Sequence, residues 1–281
     1  MTSSARLDLD GAHAIVTGGS SGIGLIITKM LLSNKANVTI LDVNEPPLAS
    51  LQSTYPTSRI TFHACDVSSY ASQLNAFESA FTESSGKLDI VIANAGISAE
   101  HRPGQSFTAP PPSFPLSPEA PPPLKTLEVN LVGCLYTVWL GMQFIRRGGR
   151  GGSIMCTASN AGIYPFRLAP IYAAAKHGVV GVVRSLGPVL EGEGITINAI
   201  APSIIRTNLA PDPELLKGMI ETPQWVLEDA VKELVTNRSL TGKIAEMGPE
   251  GENGCLWAEP PEPCNESTRH NFEEFLKFGK A

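Results

Sequence analysis

The chain has 281 residues, 42% hydrophobic and 17% charged, enough to bury the core of one ordinary α/β domain. Its net charge of −6 argues against nucleic acid or an anionic membrane as the main partner. Five scattered cysteines without a C-x-x-C pair, no apolar leader in MTSSARLDLDG and no apolar run of about 18 residues point to a reduced, cytoplasmic protein with no membrane span.

Ala12 to Thr17 is a short apolar, β-branched run that reads as a buried parallel strand. TGGSSGIG, Thr17 to Gly24, follows and leads into helical periodicity at Ile23, Ile27, Met30 and Leu31. A glycine-rich turn between strand and helix aims backbone N–H groups and a helix N-terminus at a phosphate. That nominates Gly18, Ser20, Ser21, Gly22, Ile23 and Gly24 as dinucleotide contacts, although glycines also serve turns for steric reasons alone. The next strand, Asn37 to Leu41, ends in Asp42, 18 residues after Gly24. A carboxylate there accepts a hydrogen bond from a ribose 2′-hydroxyl and repels a 2′-phosphate, which favours NAD over NADP. The competing reading is a capping aspartate, but the glycine loop carries no Arg or Lys to welcome a phosphate.

Ile60 to Ala64 is the third strand, and Ser68 or Ser69 caps a helix built on Leu74, Phe77 and Phe81. Leu88 to Ala93 is the fourth strand and runs into Asn94, Ala95 and Gly96. Alternation of strand and helix with short connections is the pattern of a doubly wound parallel sheet. Ser98 to Pro123 interrupts it with nine prolines in 26 residues, which reads as an extended surface loop or a lid near the substrate mouth. Lys125 to Arg147 is a long helix, apolar nearly all round, and needs cover on both sides. The basic run after it, Arg146 to Gly152, reads as a helix end and tight turn and needs no RNA.

Tyr172 and Lys176 lie four residues apart at the opening of a helix, thirteen residues beyond Ser159. Side chains at i and i+4 share a face, so an ammonium stands beside a phenol and favours the phenolate, giving a general base. Ser159, at the end of the strand that includes Ser153 to Cys156, offers a hydroxyl to the reacting oxygen. Thr196 to Ala201 is the sixth strand and Leu240 to Met247 a last one. Between them, residues 203–236 are too apolar for an idle loop, and read either as a cover over the reacting end of the cleft or as core-forming helices. The C-terminal extension, 248–281, begins irregular and ends in an amphipathic helix capped by Ser267. The histidines lack ligand spacing, and no metal site is expected.

Taken together, TGGSSGIG, Asp66, Asn94 to Gly96, Asn130 in LEVNLVG and the ordered Ser159, Tyr172 and Lys176 resemble the short-chain dehydrogenase/reductase family over roughly residues 7–207. The resemblance implies one Rossmann-type domain with about seven parallel strands, a nicotinamide cofactor and a catalytic tetrad of Asn130, Ser159, Tyr172 and Lys176. Tyr172 and Lys176 also contact the cofactor, Asp66 and Val67 contact adenine, Asn94 to Gly96 line the cleft, and Thr207 meets the nicotinamide carboxamide. A homodimer or homotetramer is implied as well. Ser203 departs from the glycine usual after Pro202. The wording SNAG, YAAAKHG and Asp42 most resembles the NAD-linked, hydroxyprostaglandin-dehydrogenase-like branch, whose substrates are lipophilic secondary alcohols. An NADPH-type ketone reductase and a non-redox, cofactor-holding scaffold or regulator remain as alternative functions on the same fold.

Overall fold

A computed structural model describes residues 6–100, 124–207, 218–248 and 255–278. Eight strands form one sheet in the order β3-β2-β1-β4-β5-β6-β7-β8. They are β1 (His13–Thr17), β2 (Asn37–Asp42), β3 (Ile60–Ala64), β4 (Ile90–Ala93), β5 (Gly152–Thr157), β6 (Ile195–Pro202), β7 (Ile244–Met247) and β8 (Cys255–Trp257). The first seven run parallel, as the sequence predicts. The eighth is antiparallel to β7, with Met247 opposite Cys255. The expectation of an irregular stretch through 248–264 is therefore corrected for these three residues, whose edge pairing leaves too few residues for a period to read.

The apolar runs are continuous because both faces of the sheet are covered. Ile15 and Val91 face a core that includes Phe77, Val138 and Val179, from α3 (Tyr70–Glu83), α5 (Gly133–Gly148) and α6 (Pro170–Leu190). Their strand neighbours Ala14, Val16, Ile90 and Ile92 face the other way. There they meet Ile27 and Leu31 of α1 (Gly22–Ser33) and Val226, Val231 and Leu234 of α7 (Gln224–Thr236). Helix α2 (Leu48–Thr54) adds Leu51 to that second core. Of the two readings of 203–236, α7 follows the core-forming one.

The long helix expected at Lys125 to Arg147 is one helical path in three parts. Helix α4 (Lys125–Leu127) passes through a π-helical turn, Glu128–Val132, into α5. Buried Gln73 braces this junction, donating to the carbonyls of Val67 at 2.7 Å and Gly133 at 2.9 Å. Ser69 caps α3 by accepting from the amide of Ser72. At the C-terminus, α8 (Glu266–Phe278) begins before Ser267, so that serine is no cap; Asn265 Oδ1 accepts from the Thr268 amide at 2.8 Å instead. Of the Pro-rich insertion, only its root is described. Ala99 and Glu100 there are 7% and 3% exposed, so the surface loop does not begin at Ser98. Residues 101–123, on which the lid reading falls, lie outside the described residues.

Candidate active site

The strand order reverses at β1, from which β2 and β3 extend one way and β4 onward the other. In such sheets a crevice opens beyond the carboxyl ends of the strands at this point. Every motif noted in the sequence leaves the sheet along that edge: Gly18 after β1, Asp42 closing β2, Asn94 after β4 and Ser159 after β5. Among the described residues they border a cleft of about 770 Å³.

The floor of the cleft is the glycine turn. Gly18 and Gly22 have φ of +64° and +52°. A Cβ on Gly24 would sit 2.0 Å from the Gly18 carbonyl oxygen, so the spacing of glycines packs the start of α1 directly on the turn. Asn94 ties three strand ends together. Its Nδ2 donates to the carbonyls of Thr17 at 3.1 Å and Gly18 at 3.3 Å, and its Oδ1 accepts from Thr157 Oγ1 at 3.0 Å. Thr17 Oγ1 answers by accepting from the amides of Asn94 and Ala95.

Asp42 is 9% exposed and borders the cleft. Its Oδ2 accepts from the Ser20 amide and its Oδ1 from the Asn44 amide, both at 3.0 Å. A carboxylate has about four lone-pair sites, so acceptor capacity remains for a hydroxyl. Asp66 and Val67 border the same end of the cleft. Hydrogen bonds from the hydroxyl and amide of Ser68 hold the Asp66 carboxyl below its ordinary range.

At the opposite end stand Ser159, Tyr172 and Lys176, all bordering the cleft. Pro170 opens α6 and places Tyr172 in its first turn with Lys176 one turn on. Lys176 is 3% exposed, its Nζ donates to the Thr157 carbonyl at 2.6 Å and lies 5.6 Å from the Tyr172 ring centroid. The Phe166 ring centroid is 6.3 Å from that of Tyr172. Ser159 Oγ accepts from the Ala161 amide and donates to Asn160 Oδ1, both at 3.2 Å, which fixes where the hydroxyl stands.

Gly18, Ser21, Gly22, Ile23, Gly24, Asn94, Ala95, Gly96 and Thr207 also border the cleft, as the sequence leads one to expect. Ile205 and Thr207 come from the segment after β6, and a Cβ on Gly22 would lie 3.4 Å from Thr207. Covering of the cleft by 203–236 thus falls to its opening residues.

Two predicted residues stand behind the wall. Ser20 turns away, its Oγ donating to the Asn44 carbonyl at 2.6 Å. Asn130, in the π-helical turn, is 1% exposed; its Oδ1 accepts from the Ile97 amide and its Nδ2 donates to the Ile97 carbonyl, both at 2.8 Å. Both ends of its amide thus fix the backbone of Ile97, which borders the cleft.

Sequence reasoning missed Thr157, whose carbonyl receives Lys176, and Glu100, whose carboxylate reaches the first turn of α6. The position of Thr157 at a strand end next to Ser159 is a signal for the first. Nothing local marks the second, because its partners are 71 and 72 residues away.

This architecture and site define a dinucleotide-binding α/β protein. Residues 12–214 match the family described as short chain dehydrogenase, and the chain belongs to the short-chain dehydrogenase/reductase family, oxidoreductases that use nicotinamide cofactors. It is similar to the short-chain dehydrogenase/reductase prx7 of Penicillium rubens, 38% identical over 198 residues that cover 66% of each chain. It is also similar to human 15-hydroxyprostaglandin dehydrogenase [NAD(+)], 29% identical over 237 residues covering 82% of this chain and 80% of the relative. The crystal structure of levodione reductase superposes with a TM-score of 0.73 at 25% identity, over 85% of this chain and 97% of that one. The chain matches just under two thirds of the length of prx7 and 57% of the length of the prx4 protein of Penicillium roqueforti. No helix among the described residues is long and apolar enough to cross a membrane, and they hold no cluster suited to a metal ion.

Proposed function

We propose that the protein is a NAD-dependent alcohol dehydrogenase that oxidises a lipophilic secondary alcohol to a ketone. The observation that carries this reading is a single cleft bounded at one end by the glycine turn and Asp42, and at the other by Ser159, Tyr172 and Lys176. The turn suits a dinucleotide, because Gly18 and Gly24, where a Cβ would meet backbone at 2.8 Å or less, let the turn pack directly under the N-terminus of α1, the end of a helix that favours a phosphate. When bound, the nicotinamide ring supplies the acceptor for the hydride leaving the carbinol carbon.

The chain's own residues do the rest. Tyr172 takes the hydroxyl proton at its phenolic oxygen, and Ser159 hydrogen-bonds the same substrate oxygen. Lys176, held by the Thr157 carbonyl, keeps a positive charge beside the phenol and reaches the nicotinamide ribose. Asp66 and Val67, which border the Asp42 end of the cleft, would hold adenine, Thr207 would hold the carboxamide, and Asn130 fixes the wall through Ile97. Asp42 supports NAD over NADP, and so does the similarity to a human dehydrogenase named for NAD(+). The lipophilic substrate is supported by Phe166, which packs near the Tyr172 ring, and by Ile205, which borders the cleft. A homodimer or homotetramer is supported by Leu135 and Trp139 of α5, large apolar side chains that are 41% and 51% exposed.

The test is a turnover screen with NAD+ and NADP+ against terpenoid, steroid-like and fatty secondary alcohols and against polar sugar alcohols. Faster reduction of NAD+ with the lipophilic set is expected. Preference for NADP+, or for the polar set, overturns the corresponding half of the proposal.

A further inference from the structure

Helix α6 carries Tyr172 in its first turn, yet no side chain at its N-cap takes up the amides there. Ala169 at its N-cap offers no side-chain acceptor, and its first turn holds no acidic residue. The amides of that turn would otherwise be left as buried donors without partners. Glu100, at the root of the insertion after β4, satisfies two of them: Oε2 accepts from the Tyr172 amide at 2.7 Å and Oε1 from the Ile171 amide at 3.2 Å. It is the backbone of the tyrosine itself that the carboxylate grips.

Glu100 is held rigidly enough to do this. Two residues of the short path from Gly96 are clamped, Ile97 by Asn130 at 2.8 Å and Ala99 by Thr126 Oγ1, which accepts from its amide at 3.3 Å. Among the described residues its carboxylate makes no ion pair, and it meets two amides at the positive end of the α6 dipole. A buried carboxylate is expensive to keep without such partners. The same result could be had by a serine or aspartate at position 169, which would cap the helix locally and tie it to nothing. Capping from Glu100 instead couples the tyrosine to the wall that runs from the Asn94–Gly96 turn through Ile97 and Ser98, both of which border the cleft.

We propose that Glu100 is a positioning residue for Tyr172, setting the first turn of α6 so that the phenol meets the substrate oxygen beside Ser159. The inference rests on Tyr172 being the base. An error of about 1 Å at a reacting group costs on the order of 100-fold in rate, so a loosened first turn is felt in turnover before it is felt in cofactor affinity.

The experiment uses Glu100→Gln, Glu100→Ala, Tyr172→Phe and the Glu100→Gln, Tyr172→Phe pair in the full chain. It reads kcat and KM with NAD+ and the fastest secondary alcohol of the screen above, NADH affinity, melting temperature, and amide hydrogen exchange at Ile171 and Tyr172. Glu100→Gln keeps the shape but turns one acceptor into a donor facing an N–H. It is expected to lower kcat roughly tenfold and Glu100→Ala roughly 100-fold, with NADH affinity within about twofold and faster exchange at the two amides. In the Tyr172→Phe background the loss from Glu100→Gln should vanish, since there is no longer a base to misplace. A kcat within about twofold of wild type in both variants well below their melting temperatures overturns the inference, even if those temperatures fall. So does an equal loss in both backgrounds, which marks a structural role only. If Glu100→Ala does not fold, Glu100→Gln and the pair carry the test. If Tyr172→Phe turns over normally, the assignment of the base fails and the inference falls with it, a result distinct from failure at Glu100 alone.

Discussion

Lys176 Nζ lies 5.6 Å from the centroid of the Tyr172 ring and is anchored to the Thr157 carbonyl at 2.6 Å, so the charge beside the phenol is fixed from β5 and not left to a mobile side chain. Tyr172→Phe removes the proposed proton acceptor while leaving the ring against Phe166 and both backbone bonds to Glu100. Turnover is expected to fall by roughly 10²–10⁴-fold, the usual cost of a lost general base. NADH affinity, followed by fluorescence titration, should stay within about twofold and the melting temperature within a few degrees. A rate unchanged in this variant would remove Tyr172 from the chemistry.

Asp42 fixes the loop through the Ser20 and Asn44 amides and, in the proposed function, selects NAD over NADP, and a substitution should separate the two. Asp42→Ala strips the acceptor from the amides of Ser20 and Asn44, which are otherwise fixed at 3.0 Å. A stability loss of about 1–3 kcal/mol is expected by denaturant titration. The same change removes the charge facing a 2′-phosphate, so the ratio of NAD to NADP affinity should fall by roughly 10–100-fold. A ratio that does not move would assign Asp42 to the loop alone.

What could be read from the sequence and what could not divide by distance along the chain. The parallel strands announce themselves as short apolar runs because both faces are covered, and the glycine turn, Asp42, Ser159 and Tyr172 follow them at fixed offsets. A strand end positions the next residue, and the sheet then brings those ends into line without further instruction. Local pattern says nothing of partners supplied from elsewhere. Asn130 reads as a site residue, but nothing local shows that its amide meets the backbone of Ile97, 33 positions away. Glu100 reads as the start of a surface loop, yet it is buried against a helix 71 positions on. Strand β8 escapes for a different reason: three residues at an edge, two of them exposed, show no alternation.

Gly24→Ala tests the cradle. The new methyl would fall 2.0 Å from the Gly18 carbonyl oxygen and 2.5 Å from Asn94 Nδ2, and because the first is backbone the turn itself must shift. Dinucleotide affinity is expected to drop at least roughly tenfold, about 1.4 kcal/mol or more, with a lower melting temperature. Gly181→Ala in α6 is the control, since a Cβ there meets nothing within 4 Å inside the chain. It should leave affinity alone and stabilise the helix by about 0.5–1 kcal/mol. Equal behaviour of the two variants would mean that the glycine turn is not the phosphate cradle.

The last expectation concerns pH and lies away from the cleft. His13 opens β1, is 5% exposed, and its Nε2 is 3.1 Å from Thr39 Oγ1, which in turn is 2.8 Å from Thr61 Oγ1. Burial lowers the imidazole from 6.5 to about 4, against the smaller opposing pull of Asp89. Above pH 6.5 the ring is neutral in folded and unfolded chains alike and contributes nothing to the pH dependence. As the pH falls below 6.5 the unfolded chain takes up a proton that the folded chain refuses until about pH 4, so folding stability declines across that window. At roughly 1.36 kcal/mol per unit, the decline reaches about 2 kcal/mol by about pH 5 and about 3 kcal/mol at its limit. Carboxyls held low in the folded chain, such as Asp66 and Glu233, add their loss at lower pH, because an unfolded carboxyl begins to protonate only near its ordinary value of about 4. The interval between pH 6.5 and 5 therefore lies above the carboxyl range, and comparison with a variant lacking His13 isolates its share. His13→Gln can retain a hydrogen bond to Thr39 and does not titrate, so urea unfolding in that interval should lose most of its pH slope relative to wild type. Parallel slopes for the two chains would show that His13 is not the group responsible.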